Sequence, residues 1–231
     1  MMKDFAKLEK KLKYKFENKD LLKQAVVHRS YLNEHPEFEL PHNERLEFLG
    51  DAVLELVVTE YLYKNYPNPE GELTNWRAAL VNAKMLSEIA KDLGIESYLY
   101  LSKGEAKDVN SKARQIILAN AMEAVIGAVY LDKDYVAAKK LIEKEIIVKL
   151  PDILKTKAYQ DPKSRFQEIA QERVGITPSY KVLEESGPDH AKQFVIGVFL
   201  KKELVGKGEG SSKQEAQVHA AEEGLKNKNW E

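Results

Sequence analysis

The spacing of apolar residues changes once along the chain, and that change constrains the fold more than any other feature. From residue 4 to about residue 150, apolar side chains recur three and four apart and strand-like alternation is scarce, which predicts helices. Helices are expected over 18–28, with Asn18 as N-cap, over 43–66, ending before Pro67, and over 70–94, closed by Gly94. Two more are expected over 111–134 and over 135–150, the latter stopping at Pro151. The stretch 151–164 (PDILKTKAYQDPKS) reads as a short linker. Beyond it, 163–175 is helical, 178–187 and 192–202 alternate, a short ELVGKG follows, and 211–225 closes as a helix starting at a serine. The expected architecture is an all-α domain over residues 1–150, a linker over 151–160, and a small α+β domain of order α-β-β-β-α over 161–231.

Composition narrows the class. Hydrophobic residues make up 43% of the 231, enough for a core, and the absence of cysteine excludes disulfides and Cys-based zinc sites. The N-terminal MMKDFAKLEKKLKYKF is charged throughout and lacks an apolar h-region. No unbroken apolar run of about 18 residues is present to span a membrane. A soluble, cytoplasmic protein is expected. The net charge of −1 is not that of a strongly basic nucleic-acid binder, so phosphate recognition must use local clusters.

The segment 43–56, NERLEFLGDAVLEL, places Glu44, Glu47 and Asp51 among apolar residues. At about 100° per residue, the three acids fall within roughly 60° on one helix face. They form a solvated acidic face, pair with Arg45 and nearby lysines, or hold something. Gly50 sits mid-helix at a cost of about 1 kcal/mol relative to alanine, which points to the close approach of another backbone. Glu55 lies on the same face. In 117–132, ILANAMEAVIGAVYLD, Glu123 stands among Ala121, Ala124, Gly127 and Ala128, small residues that let another helix come close. An oxygen-only donor set favours Mg²⁺ or Mn²⁺ over zinc.

HNERLEFLGDAVL resembles the signature of ribonuclease III, the enzyme that cuts double-stranded RNA. PEGELTNWRAALV resembles that family's EG-x-L-S-x-x-RA-x-LV segment, and ILANAMEAVIGAVYLD its second catalytic helix. The resemblance implies that Glu47, Asp51 and Glu123 are catalytic metal-binding acids. It implies that Glu44 and Glu70 form an outer acidic pair lining the same valley, and that Phe48 and Leu49 lie at a homodimer interface. Glu55 has no counterpart among the family's site acids and is taken as a supporting or surface residue. Where the family usually has Asp, this chain has Asn120, whose carbonyl oxygen can still bind Mg²⁺. The implied activity is two-metal hydrolysis of double-stranded RNA in rRNA and mRNA processing. It gives 5′-phosphate and 3′-hydroxyl ends with a short 3′ overhang, with Mn²⁺ able to replace Mg²⁺. Asn120 keeps open the alternative of a catalytically silent double-stranded RNA-binding dimer.

Residues 161–231 resemble the double-stranded RNA-binding domain, which reads duplex shape through two minor grooves and the phosphates between them. The resemblance implies that Gln167 and Glu168 face one minor groove and that Pro188, Asp189 and His190 enter the next. Lys213 and the start of the last helix would meet phosphate. The adjacent basic residues often seen there are thinned to Lys213, Gln214 and Glu215. Tyr180, Phe194 and Phe199 read as core, Trp76 as a helix-packing residue and Trp230 as a tail residue.

Overall fold

A computed structural model describes residues 3–109, 111–157, 159–188 and 192–230. The chain divides into two compact units, Met1–Tyr159 and Gln160–Glu231. The first contains α1 (Phe5–Leu12), α2 (Lys19–Ala25), α3 (Arg29–Glu34), α4 (Glu44–Asn65), α5 (Glu70–Val81), α6 (Ala83–Asp92), α7 (Lys103–Lys107), α8 (Lys112–Asp132), α9 (Tyr135–Glu145) and α10 (Leu150–Thr156).

Local chemistry sets the helix starts. Asn18 accepts from the Asp20 amide, Ser111 from that of Arg114, and Asp134 from that of Ala137, each satisfying a donor the helix leaves unpaired. Two expectations need correction for the same kind of reason. The single helix expected over 70–94 is two helices, because Asn82 adopts extended backbone and its side chain accepts from the Met85 amide, capping α6. Residues 150–156 are helical rather than linker. Pro151 lies in the first turn of α10, where its missing N–H costs nothing, and Leu150 and Ile153 are buried in the first unit's core.

Helix α8 is the axis of that core. Leu118, Ala121, Met122, Val125, Ile126 and Val129 on it are wholly buried. By length and composition α8 is apolar enough to cross a membrane, although charged and polar residues interrupt its apolar run. Most of its apolar surface is covered by neighbouring helices, as in a core helix.

The second unit contains α11 (Pro162–Val174), β1 (Ser179–Ser186), β2 (Gln193–Leu200), β3 (Glu203–Gly210) and α12 (Lys213–Asn227). The strands form an antiparallel sheet in the order β1-β2-β3. Phe166, Ala170, Val198, Leu200, Val205, Ala220, Ala221 and Leu225 form the core between helices and sheet. Trp230 is part of that core rather than a tail: its ring lies 5.5 Å from that of Phe166. Phe194 is buried, but Phe199 is only half-buried, with the Lys181 ammonium 5.2 Å from its ring centre.

Candidate active site

The site is built where α4 crosses α8. A Cβ on Gly50 would lie 1.8 Å from the Glu123 carbonyl oxygen, and one on Gly127 would lie 2.3 Å from that of Leu46. Any larger side chain would push the helices apart. Gly50 and Gly127 therefore allow backbone-to-backbone contact, and the contact brings the acids of the two helices face to face.

The start of α4 is fixed by Asn43, for which the sequence reading had no role. Asn43 is buried, donates its side-chain amide to the Ala25 carbonyl at 3.1 Å, and donates its backbone N–H to Val27 at 2.9 Å. Its own carbonyl accepts from the Glu47 amide at 2.9 Å. The Val26–Val27 strand segment is in turn bridged to Tyr100. The first turn of α4 is thus anchored to the core. A polar residue just ahead of an apolar helix is the one signal that could have found Asn43.

Electrostatics shows which side chains face one another. Burial, then Asp51, Glu47 and Glu55 in that order, push the Glu123 carboxyl up to about 8. Burial and the neighbouring Glu44 raise Glu47, Asn120 opposes the rise by donating a side-chain hydrogen bond, and Asp51 adds to it. Among the described residues no base forms an ion pair with Glu47, Asp51 or Glu123. Half-buried carboxyls facing like charges without such a partner, as Glu47 and Glu123 are, shift toward the protonated form.

The predicted residues are not all in one place. Glu47, Asp51, Asn120 and Glu123 come together. Glu44 stands at the exposed edge, 3.5 Å from Arg29 and 3.7 Å from His42. Glu55, set aside as supporting or surface, acts on Glu123 and is held by Arg77 at 3.0 Å. Glu70 does not line the same valley within one chain. It begins α5 beyond the far end of α4, which at about 1.5 Å per residue lies about 27 Å along the axis from Glu47. There it accepts from the Thr74 hydroxyl. Phe48 is 80% exposed, whereas Leu49 packs in part on the core.

In the second unit, Gln167 and Glu168 are adjacent and exposed on α11, and Pro188 is exposed after β1. Asp189 and His190 lie outside the described residues. Lys213 opens α12, exposed, with its ammonium 5.5 Å from the Phe194 ring centre.

The donor set fits a hard divalent cation. It is all oxygen, anionic, and free of any basic partner that would take the cation's place. Among the described residues, no group of three or more His, Cys, Asp or Glu side chains is gathered to hold a metal ion as it stands.

Comparison with known proteins matches both units of the chain. A family model described as Ribonuclease-III-like matches residues 18–150, and one described as Double-stranded RNA binding motif matches residues 162–228. A protein named Ribonuclease 3 from Nitratiruptor sp. is 44% identical over 97% of this chain and 97% of its own length. One of the same name from Natranaerobius thermophilus is 47% identical over 94% of each chain. The crystal structure of the nuclease domain of ribonuclease III from Campylobacter jejuni is 42% identical, with a TM-score of 0.54, covering 62% of this chain and 96% of that one. A second structure of that domain, described as showing flexibility in a region involved in dimer formation, matches with the same TM-score and identity.

Proposed function

This chain belongs to the ribonuclease III family, and on that premise we propose a metal-dependent endoribonuclease that cuts double-stranded RNA in the cytoplasm, in rRNA and mRNA maturation or decay. One observation carries the metal reading: Glu123 is driven toward its neutral form by burial and by Asp51, Glu47 and Glu55, with no base in the cluster. A cation is the natural counter-charge for such a set.

Glu47, Asp51 and Glu123 would hold Mg²⁺, or Mn²⁺ in its place. Asn120 opposes the rise of Glu47 through its side-chain amide, and its carbonyl oxygen is the atom that would meet a cation. When bound, two ions would supply the charge that activates water and stabilises the leaving 3′ oxygen, giving 5′-phosphate and 3′-hydroxyl ends. The chain's own residues prepare for this. Asn43 fixes the first turn of α4, Gly50 and Gly127 set the helix separation, and Glu123 would give up its proton to hold a cation. The second unit supplies duplex affinity through α11, the β1–β2 connection and Lys213.

A homodimer is supported by an exposed apolar stripe on α4. Phe48, Ala52, Leu56 and Tyr63 share one face, with Phe48 and Tyr63 each 80% exposed. A groove of about 680 Å³ lies at the other end of α4, lined by Tyr63, Tyr66, Leu73 and Glu70 among others. Antiparallel pairing of α4 with its copy would set Phe48 against the partner's groove. It would also bring the partner subunit's Glu70 toward Glu44, completing an outer acidic pair that one chain cannot form. Two valleys so paired would cut both strands and leave a short 3′ overhang. Phe48→Glu is expected to shift the protein toward monomer in sedimentation, and an unchanged dimer would place the interface elsewhere.

The decisive test is Glu123→Ala. Cleavage is expected to fall by at least about a thousandfold, the ~4 kcal/mol that a lost charge-stabilising group can cost. Duplex binding should stay within a few-fold, because affinity resides in phosphate and minor-groove contacts elsewhere. A variant cutting at near the parental rate sinks the reading. A parent that binds duplex but cuts in neither Mg²⁺ nor Mn²⁺ is the silent binder that Asn120 raises.

A further inference from the structure

We propose that Arg77 and Glu55 set the cation affinity of the acid cluster: Arg77 is a positioning residue that pins Glu55 to the α4 surface and offsets part of its charge. This rests on the metal reading of Glu47, Asp51 and Glu123.

Glu55 follows Asp51 by four residues, so it lies one turn along the same face of α4. Arg77 reaches across from α5 and is held at two points one turn apart. Its Nε lies 3.0 Å from Glu55 Oε2, and its terminal nitrogen donates to the Thr59 hydroxyl at 3.0 Å. The Arg77 and Glu55 side chains are both partly shielded from water, with 35% and 39% exposure. At four residues' separation on α4, Glu55 and Asp51 are neighbours on the helix surface, about 5–6 Å apart at Cβ. The cluster therefore has a fourth carboxylate beside it, and the only base the structure gives that carboxylate among the described residues is Arg77. Among the described residues, Glu47, Asp51 and Glu123 have no such partner. A site meant to bind and release divalent ions gains from an adjacent neutral pair: full charge from Glu55 would tighten the ion, and Arg77 alone would repel it.

Opposite signs follow, and they separate this idea from a merely structural ion pair. The probe is Mn²⁺, titrated onto the full chain without RNA and read from the resonance of the free ion. Glu55→Gln leaves Arg77 unpaired and should weaken Mn²⁺ binding by about three- to tenfold. Arg77→Gln frees Glu55 and should tighten it by about the same factor. The double variant should return to near the parental affinity, as should Arg77→Lys, which keeps the charge. Thermal unfolding checks that each variant folds. If Arg77→Gln does not fold, Glu55→Gln against the charge-keeping Glu55→Asp decides the matter, the former weakening Mn²⁺ and the latter not. If the parent binds Mn²⁺ and the single variants shift it in the same direction, or not at all, the inference is overturned while the metal reading stands. If the parent binds no Mn²⁺, or binds equally after Glu123→Gln, the metal reading fails and takes the inference with it.

Discussion

Glu60 and Glu123 are carboxylates at helix contacts of the same unit, and their surroundings push them in opposite directions. Glu60 on α4 accepts from Lys64, from Lys139 at 2.9 Å and from the Tyr135 hydroxyl at 2.7 Å on α9. Those hydrogen bonds hold its carboxyl down to about 2. Glu123 on α8 meets only burial and other acids, and is raised to about 8. The fold supplies partners where an acid joins two helices. It withholds them at the α4–α8 crossing. The difference sets Glu60, which ties α4 to α9, apart from Glu123, whose neighbours are acids that give it no counter-charge.

The largest effect is expected from relieving the unpaired acid in metal-free protein. The unfolded chain ionises Glu123 near its ordinary 4.5, while the folded chain holds the proton to about 8. Between those values the folded state binds more protons, so stability falls as pH rises through this window. Glu123→Gln should remove that fall, leaving the variant more stable than the parent at pH 8 by on the order of 1–2 kcal/mol after allowance for screening. Urea unfolding with a chelator at pH 5 and pH 8 reads it, and equal pH dependence in the two proteins would erase the contrast.

The paired acid should behave in the opposite sense. The Glu60 carboxyl is held low, so its stabilisation is present above its ordinary 4.5 and is lost as pH falls toward about 2. Glu60→Gln should therefore melt lower than the parent at pH 7 and together with it near pH 2. Its Mn²⁺ affinity should equal the parent's. An altered affinity would mean that the two clusters are not separate.

The smallest effect is expected at Asn120. Asn120→Asp loses the donation to Glu47 and adds an anionic oxygen to a crowded set. With Mg²⁺ present the cation contribution should dominate, lowering the midpoint of Mg²⁺-dependent cleavage by roughly two- to fivefold. A titration of both proteins on one duplex checks this. Coincident midpoints and matching rates would show that the Asn120 oxygen does not reach a cation.

Local patterns carried much of this molecule. The cap at Asn18 is legible because a polar side chain beside an apolar run has one good use. The change to period two after residue 160 is legible because a sheet covered on one side demands it. Gly50 announced a close approach by its cost, and Gly127 by its small neighbours, although neither says which partner it meets. Asn82 hid its break because residues on either side keep helical spacing. Pro151 reads equally as a stop and as a first-turn residue. Trp230 is distant in sequence from Phe166, and nothing near it says that the last turn folds back.

By itself, the sequence determined the two classes of unit, most helix starts, and the acids that share a face of α4, because these depend on residues within a few positions of one another. Only the tertiary structure decided that Glu123 meets Asp51 and Glu47, that Asn120 donates to Glu47, that Glu55 is tied to Arg77, and that Glu70 lies at the other end of α4. Those facts depend on where two helices cross and how far apart they stand. The α4–α8 crossing is set by backbone contact at Gly50 and Gly127 and by the packing around α8, which no local spacing encodes.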